Sequence, residues 1–532
     1  MQKFIYLLLV AVLPCTLLAA TESKPVPPFI NPHLADSHYP ATHAYADLTP
    51  LPGPLARSHR LTGNEVQWKP LGPFNTFPQV YSGPYPNGKR VIWAGGYDRI
   101  TKLDADTLET LTTYAIGGNT FYDEEETRRY VAEADKADDN AHKNWIKFWK
   151  DEPFRAAIAL YKIVTKDNHL YVPHWSEGAF SLREYAEVDP TDPRSKIKLV
   201  REWKVPHEVS KSPLFGMQMT SDGTIVMTTQ DGILIAITRD FSHYETVKLP
   251  MQNGPGETRD PLSSFVRNSI STDDHGGIYV VTRDGLNRVQ WTGTKLSLDT
   301  ADGGWSVPYP NGLGIGSGTT PALMGWGTKE DHLVLIADSN ANNELMAFWR
   351  DEIPADWKGL PGFDRRVAGI VPINFGIGKV EHNKLENALE VYGYGAFTNP
   401  TYPLATEPQS SPTMQWLYDS FVTHVPGHEP LGGAKWEWNP STRTLRTVWQ
   451  TQTNLGTMIC MISGADDILY CWGAQNGEWT VKGLDWNTGK INFSYTLGKS
   501  QRFNPFGGFL IINPDRTIDC ACAFGPVRIK PK

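Results

Sequence analysis

Short apolar stretches alternate with polar turns along most of the chain, and this pattern predicts β-strands. The stretch "ISTDDHGGIYVVTRDGLNRVQW" (Ile270 to Trp291) is typical: it contains a strand end, a turn of Asp and Gly, a strand rich in Val and Ile, a second glycine turn and a third strand. Apolar runs bounded by Asp, Asn and Gly are characteristic of antiparallel hairpins. The pattern recurs, with different residues, from about Phe77 to the C-terminus.

The recurring hairpins predict a β-propeller. Units of three or four strands at roughly 50–80-residue spacing are the signature of propeller blades, each of which buries its faces against its neighbours. We therefore predict an all-β chain with a single propeller, most simply of eight blades, with seven as the alternative. The units begin at Gln79, Ile158, Phe215, Ile270, Pro321, Ala388, Met458 and Gly508.

The last unit has only three strands before Lys532, and a bare strand edge would invite aggregation. We predict that a strand within "NEVQWKP" (Asn64 to Pro70) supplies the missing outer strand and closes the ring. The predicted organisation is a signal peptide at 1–20, an extended N-terminal segment at 21–63 and the propeller at 64–532, with a helical insertion at 123–152 and a Pro-rich loop at 397–433.

The first twenty residues indicate export. "MQKFIYLLLVAVLPCTLLAA" has one Lys, an apolar centre and small residues at Ala19 and Ala20, as a cleaved secretory signal does, and it is too short for a stable membrane span. The formal net charge of -8 argues against nucleic acid as a partner. We expect a secreted or periplasmic monomer whose partner is a small-molecule ligand.

Export to an oxidising compartment would allow the cysteines to form disulfides. Four remain after Cys15 is removed with the signal, namely Cys460, Cys471, Cys520 and Cys522. An even number in an oxidising compartment predicts one or two disulfides, with free buried thiols as the alternative. Cys460 and Cys471 flank the turn "SGADD" on two strands that should pair. The absence of a paired C-x-x-C spacing disfavours a zinc site.

Three turns carry a family resemblance. "GLDWNTGKINFSY" (Gly483 to Tyr495) resembles the tryptophan-docking repeat of quinoprotein alcohol dehydrogenases, and "KLDADTLETLTTY" (Lys102) and "EWNPSTRTLRTVW" (Glu437) are weaker versions. The resemblance implies eight blades, with an aromatic side chain docked on the next blade. Quinone-binding members typically place an adjacent Cys-Cys disulfide over pyrroloquinoline quinone. This chain has no adjacent cysteines, which disfavours that cofactor.

Candidate chemistry lies at one mouth of the predicted channel, where the turns between second and third strands meet the starts of the first strands. His174 and Asp338 are candidate bases, and Arg283 can steady an oxyanion or a carboxylate. Glu177, Asn268 and Asn340, together with Asp338, supply oxygen atoms that can hold Ca²⁺. Asp and Asn are also common in any propeller turn for purely structural reasons.

Other histidines give weaker hypotheses. His424 and His428 in the Pro-rich loop could bind a transition metal, whereas the N-terminal His33, His38 and His43 are five residues apart and match no regular spacing. The glycine-rich "GLGIGSG" (Gly312 to Gly318) lacks a phosphate-loop context and is predicted to be a flexible connection between blades. The sequence favours a small-molecule enzyme, an oxidoreductase slightly ahead of a hydrolase, over a non-catalytic binding propeller. The cofactor is left open.

Overall fold

The computed structural model describes residues 26–35, 46–75, 79–95, 98–117, 121–136, 156–158, 161–176, 179–250, 265–377, 385–403, 408, 412–505 and 508–532. Two α-helices lie within these ranges, α1 (Glu124–Asp135) and α2 (Pro412–Phe421). Helix α1 is capped by Asp123 and lies inside the predicted helical insertion, whose residues 137–152 lie outside the described ranges. Helix α2 lies where only a loop was predicted. Its first residue is Pro412, a position at which proline needs no hydrogen-bond donor.

Strands make up most of the remaining structure. Three short strands precede the repeats: β1 (Leu48–Thr49), β2 (His59–Arg60) and β3 (Val66–Trp68). The strands of sheets 1 and 2 are β4 (Val80–Tyr81), β5 (Val91–Gly95), β6 (Arg99–Asp104) and β7 (Thr110–Ala115), then β8 (Ala156–Ile158), β9 (Ile163–Val164), β10 (Leu170–Ser176), β11 (Ala179–Glu187) and β12 (Ile197–Lys204).

The next sheets follow in chain order. Sheet 3 contains β13 (Leu214–Met219), β14 (Ile225–Thr229), β15 (Ile233–Ile237) and β16 (Tyr244–Lys248). Sheet 4 contains β17 (Ser271–Thr272), β18 (Gly277–Val281), β19 (Leu286–Trp291), β20 (Leu296–Ser297) and β21 (Trp305–Val307). Sheet 5 contains β22 (Ala322–Met324), β23 (Leu333–Ala337), β24 (Glu344–Trp349) and β25 (Val367–Pro372).

The last three sheets complete the repeats. Sheet 6 contains β26 (Glu390–Tyr392), β27 (Gly395–Thr398), β28 (Gly433–Asn439) and β29 (Thr444–Thr451). Sheet 7 contains β30 (Met461–Ser463), β31 (Ile468–Gln475), β32 (Glu478–Asp485) and β33 (Ile491–Gly498), with β1 and β2 at its two edges. Sheet 8 contains β34 (Leu510–Ile512), β35 (Ile518–Cys522) and β36 (Gly525–Ile529), with β3 at its edge.

The sheets are antiparallel meanders, as predicted from the hairpin pattern. Consecutive strands pair in chain order, except that β8 and β9 both pair with β10 and that β20 and β21 both pair with β19, and the described strands form eight such sheets. The N-terminal strand β3 pairs antiparallel with β36, with Val66 opposite Ile529 and Trp68 opposite Val527. It therefore gives sheet 8 the outer fourth strand that was expected from the region around Asn64 to Pro70. In contrast, β1 and β2 run parallel to β30 and β33, and neither was predicted.

Burial follows the position of a strand in its sheet. Every residue of the middle strands β14 and β23 is buried, whereas the outer strands β12 and β29 alternate between covered and exposed residues. A strand buried on both faces must be covered by other elements on both sides. The middle strands are therefore sandwiched between neighbouring sheets, and the outer strands reach solvent.

Apolar clusters join each sheet to the next. Each cluster contains side chains from consecutive sheets, and one of them joins sheet 8 to sheet 1. Examples are Trp93 and Tyr185 for sheets 1 and 2, Leu182 and Met217 for 2 and 3, Val226 and Ile278 for 3 and 4, Leu286, Leu335 and Trp436 for 4 to 6, Phe397 and Ile462 for 6 and 7, Val481 and Ile518 for 7 and 8, and Ile511 with Ile92 for 8 and 1.

One seam has the tryptophan docking that the family resemblance implies. The indole nitrogen of Trp449, in sheet 6, donates a hydrogen bond to the carbonyl of Trp486, in sheet 7 (2.9 Å). The indole packs on the turn at Gly489, where φ is +71° and a Cβ atom would lie 2.5 Å from the ring. Asp485 fixes this turn by accepting hydrogen bonds from the Thr488 amide and hydroxyl, each 2.8 Å long. Only glycine allows so close an approach.

Candidate functional site

The connection between sheets 4 and 5, residues 308–321, organises one end of the sheets. The Tyr309 hydroxyl donates to the carbonyl of Thr282 and accepts from the Ser317 amide (2.8 Å). Asn311 donates its side-chain amide to the carbonyl of Arg283 (2.8 Å). The Leu313 amide donates to the carbonyl of Ser339 (3.0 Å). The connection predicted to be flexible is therefore fastened to the turns of sheets 4 and 5.

Glycines in this connection permit close approach of its neighbours. Gly316 has a φ of +77°, and a Cβ atom there would lie 2.6 Å from the Cα atom of Arg283. A Cβ atom at Gly318 would lie 2.5 Å from the carbonyl oxygen of Leu385, at the approach to sheet 6. A side chain at Gly316 would push the connection away from the Arg283 turn, and one at Gly318 would push it away from Leu385.

Two of the predicted metal ligands lie at this connection. Asn268, just before β17, is buried, and its side-chain amide donates to the carbonyl of Ser317 (3.0 Å), while its Oδ1 atom has no hydrogen-bond partner in the structure. Asn340 lies in the turn after β23, and its Oδ1 accepts from the Gly312 amide (2.9 Å). The third predicted ligand, Glu177, lies outside the described residues.

Asp338 lies in the same turn as Asn340 and is 2% exposed. Its Oδ1 atom accepts from the amide of Glu344 at 2.8 Å, whereas its Oδ2 atom has no partner in the structure. Burial raises the pKa of this carboxyl to about 6, against the lowering effect of the backbone hydrogen bonds from Glu344 and Asn340. Ser339 Oγ and Asn343 Oδ1, in the same turn, are also buried without partners. The turn thus presents several unsatisfied oxygen atoms.

Arg283 lies in the turn between β18 and β19, beside this connection. Its guanidinium is 3.5 Å from Asp284 and 5.7 Å from the ring centre of Phe265. The structure therefore places Asn268, Arg283, Asp338 and Asn340 around one connection, as the topology of the predicted propeller suggested.

His174 does not belong to this group. It was predicted to lie in a turn, but strand β10 continues to Ser176, so that His174 pairs with Ser181 of β11. Burial is the main cause that lowers the pKa of His174 to about 4, followed by the positive charge of Arg183. Among the described contacts, none links His174 to Asp338 or to residues 308–321.

Sequence reasoning missed Tyr161, which lies just before β9. Its ring packs with Ala388, Ile459 and Phe509, which lie just before or within two residues of the first strands of sheets 6, 7 and 8. Burial raises the pKa of its hydroxyl to about 12, and the neighbouring side chain of Thr320 and backbone of Ser269 oppose that rise. One tyrosine of sheet 2 therefore reaches residues that precede the first strands of sheets 4 to 8. A lone Tyr in "ALYKIV" gives no sign of this role.

A second missed contact spans the same region. Arg267, beside Asn268, forms an ion pair with Glu386, which precedes sheet 6, and the side chain of Arg267 is only 4% exposed. Such a pair needs two residues that are far apart in sequence, so only the fold brings it together. Arg267 and Glu386 fix the starts of sheets 4 and 6 relative to each other.

The described residues around this connection include oxygen donors that a metal ion could use. In the described part of the chain, no group of three or more His, Cys, Asp or Glu side chains could hold a metal ion. The unpartnered oxygen atoms of Asn268 and Asp338 are of the hard type that Ca²⁺ prefers. His424, after α2, stacks on Trp479 with ring centres 4.7 Å apart. The N-terminal His38 and His43 lie outside the described residues.

Asp338 leads to a prediction on stability. Its pKa in the folded protein, about 6, is above the ordinary 3.8, so ionisation opposes folding and stability falls as pH rises between these values. We expect Asp338→Asn to raise the free energy of unfolding near pH 8 by about 1–2 kcal/mol and to remove this fall. Urea denaturation at several pH values measures both effects. Asp274→Asn is the control, because Asp274 lies in the turn between β17 and β18, away from residues 308–321. Equal pH profiles of stability for wild type and Asp338→Asn would contradict the prediction.

Comparisons with known proteins place the chain only broadly. No family model matches it. An uncharacterized protein of Archaeoglobus fulgidus is 29% identical over 459 residues, which cover 85% of this chain and 79% of that protein. The sheet order and the seams described above are those of a β-propeller. The chain has a propeller architecture.

Solved structures similar to this propeller are distant. The C-terminal WD40 domain of Sif2 has a TM-score of 0.45 at 8% identity, covering 88% of this chain and 99% of that one. The β-propeller domain of Cps50 (Swd1) from Myceliophteria thermophila has a TM-score of 0.37 at 10% identity, covering 68% and 93%. A putative 6-phosphogluconolactonase of Bacteroides fragilis has a TM-score of 0.40 at 9% identity, covering 83% and 98%. None carries an activity over to this chain.

No helix in the described ranges is long and apolar enough to cross a membrane.

Proposed function

We propose that the eight sheets are the blades of a closed eight-bladed propeller. Three observations support closure: β3 completes sheet 8, Ile511 of sheet 8 packs with Ile92 of sheet 1, and Tyr161 contacts the approaches to sheets 4 to 8. The docking of Trp449 on the Gly489 turn supports a place in the quinoprotein alcohol dehydrogenase-like superfamily, by architecture alone.

We propose that this protein is an enzyme that takes a proton from a small polar molecule at the mouth formed by residues 308–321. The observation that carries the proposal is the carboxylate of Asp338, which is buried, has one oxygen atom without a partner and has a pKa of about 6. A carboxylate with a pKa near the working pH can act as a general base, and such perturbed groups are typical of active sites.

Asp338, Asn268 and Arg283 each contribute one interaction to the proposed reaction. Asp338 Oδ2 accepts the proton of the bound molecule, because Asp338 Oδ1 is already occupied by the Glu344 amide. Asn268 Oδ1 accepts a hydrogen bond from a hydroxyl or amine of the same molecule. The guanidinium of Arg283 stabilises the negative charge that develops when the proton leaves. His174 takes no step, since its contacts lie within sheet 2.

We propose Asn268 and Asp338 as two of the residues that would hold a Ca²⁺ ion. Asn268 Oδ1 and Asp338 Oδ2 are oxygen donors without partners, and a calcium ion there would polarise a bound carbonyl or hydroxyl group. Asn340 already uses its oxygen atom on the Gly312 amide. The adjacent cysteines that the quinone-binding dehydrogenases typically place over pyrroloquinoline quinone are absent from this sequence, which disfavours that cofactor. No step is assigned to either group.

The proposed location is outside the cytoplasm. Residues 1–20 have the composition of a signal peptide, and in this proposal the exported chain begins with residues 21–63. N-terminal sequencing of the protein from its native compartment tests this, and a mature chain that begins near Thr21 supports it. A chain that retains Met1 contradicts it.

The catalytic proposal is tested with a panel of hydroxy acids, sugars and amines, and separately with CaCl₂. Turnover is followed by mass spectrometry, and binding by thermal shift. We expect Asp338→Asn to lower the turnover rate by about 10²–10⁴-fold, the typical contribution of a general base, while binding persists. Asp274→Asn, at the opposite end of sheet 4, is the matched control and should keep the wild-type rate.

Other outcomes distinguish the alternatives. Equal turnover rates for Asp338→Asn and the wild type would refute the role of Asp338. If a panel compound binds but the protein converts none of the compounds, a non-catalytic binding propeller is favoured over an enzyme. A thermal shift with CaCl₂ that Asn268→Ala abolishes would support the calcium site, and no shift would remove it.

A further inference from the structure

Cys460 and Cys471 face each other inside sheet 7. Cys460 comes directly before β30, and the pairing of Met461 with Tyr470 places it opposite Cys471 of β31. The two sulfur atoms are 2.8 Å apart, which is closer than two unbonded sulfur atoms normally approach, although no disulfide joins them in the structure. Their side chains are 1% and 0% exposed, respectively.

The surroundings hold the two thiols in this position. They belong to the apolar cluster between sheets 6 and 7, together with Phe397 and Leu455. The amide of Cys460 donates to the carboxylate of Glu390 on the first strand of sheet 6 (2.5 Å). A tightly packed interior leaves little room for either sulfur atom to turn toward another partner.

We propose that Cys460 and Cys471 are joined by a disulfide in the mature protein and that this bridge forms during folding. One thiolate attacks a low-molecular-weight disulfide such as oxidised glutathione, forms a mixed disulfide and releases one glutathione thiolate. The second cysteine thiolate then displaces the other glutathione. The protein loses two protons and two electrons, and the oxidant becomes two thiols.

The burial of Cys460 indicates when during folding the disulfide forms. Burial is the main cause that raises the pKa of the Cys460 thiol well above its ordinary value, so the reactive thiolate is scarce once sheets 6 and 7 have packed. Exchange therefore occurs before the seam closes. The finished bridge is then protected from reductants by the same packing.

Cys520 and Cys522 provide an internal contrast. They lie on one strand, β35, two residues apart, and both are buried. Alternate residues of a strand are about 6.6 Å apart, near the upper limit for a disulfide. We expect these two thiols to stay reduced.

The experiment uses the full chain, refolded from denaturant with a mixture of reduced and oxidised glutathione. Free thiols are then alkylated under denaturing conditions, and the peptides are mapped by mass spectrometry. We expect one cross-linked pair that contains Cys460 and Cys471 and that is lighter by two hydrogen atoms, with Cys520 and Cys522 alkylated. Alkylation of Cys460 and Cys471, or a link from either to Cys520 or Cys522, would overturn the proposal.

A second measurement does not depend on a variant of the bridged pair. The oxidised protein should keep its melting temperature when reductant is added to the folded state. Protein that is reduced in denaturant and refolded with reductant should melt several degrees lower, because the cross-link is lost. The double variant Cys520→Ala and Cys522→Ala should show the same difference. Equal melting temperatures for oxidised and reduced wild type would also count against the bridge.

Discussion

Replacement of Asp519 by alanine is expected to lower the free energy of unfolding by about 3–5 kcal/mol, because it leaves a buried arginine without its partner. Asp519 is fully buried in sheet 8, and both of its oxygen atoms accept from the guanidinium of Arg528, each at 2.6 Å. The hydroxyl of Tyr81, in sheet 1, also donates to Asp519, and Arg528 donates to the carbonyl of Asp106 (2.8 Å). The change thus weakens the contact between the last and first sheets.

The midpoint of urea denaturation and the melting temperature measure this loss. The control is Glu109→Ala, which removes an exposed ion pair with Arg194 at 3.6 Å, and it should cost only about 0–1 kcal/mol. A paired change, Asp519→Leu with Arg528→Met, should be less harmful than Asp519→Ala, since no charge is then left buried alone. If Asp519→Ala and Glu109→Ala proved equally stable, the ion pair would not hold the seam.

Replacement of Trp449 by alanine is expected to cost about 3–5 kcal/mol, as large aromatic deletions in a core do. The indole is 8% exposed, packs with Phe397 at a ring-centre distance of 5.5 Å and covers the Gly489 turn of sheet 7. Its removal leaves a cavity in the seam between sheets 6 and 7 and takes away the hydrogen bond to the carbonyl of Trp486.

Trp449→Phe separates the two contributions. It keeps an aromatic ring in the seam but loses the donor, so we expect it to cost less than Trp449→Ala, with about 1–3 kcal/mol due to the carbonyl left unpaired. Chemical denaturation of both variants gives the comparison. A loss for Trp449→Phe as large as that for Trp449→Ala would show that the hydrogen bond, and not the packing, dominates.

The sheets were predictable because their strands are local. The segment from Met458 to Asp485 gave β30, β31 and β32 with their turns, since each strand pairs with the next one in the chain. The pairing of β3 with β36 could also be predicted from the sequence, because the last sheet would otherwise have an unpaired edge strand. Strands β1 and β2 could not be predicted, because each has only two residues, which is too short to show a periodicity, and because their partner strands are remote in sequence.

The site was predictable only in part. Asn268, Arg283, Asp338 and Asn340 come together because successive sheets send their second turns and their entering connections to the same side, which follows from topology. His174 was misplaced because β10 is longer than its turn-like residues suggest: it is paired on one side with β11 and on the other with β8. The contacts of Tyr161 depend on packing that no single segment encodes.

The position of Tyr161 affects how a ligand could enter and leave the proposed ring. Its ring and hydroxyl meet residues from the approaches to sheets 4 to 8, and its ring also contacts Phe215 of sheet 3 at a centre distance of 5.7 Å. In the proposed closed ring, we therefore expect the Tyr161 side chain to obstruct the central axis at the end where the first strands begin. A molecule bound at residues 308–321 is then expected to enter and leave from the same side of the proposed ring.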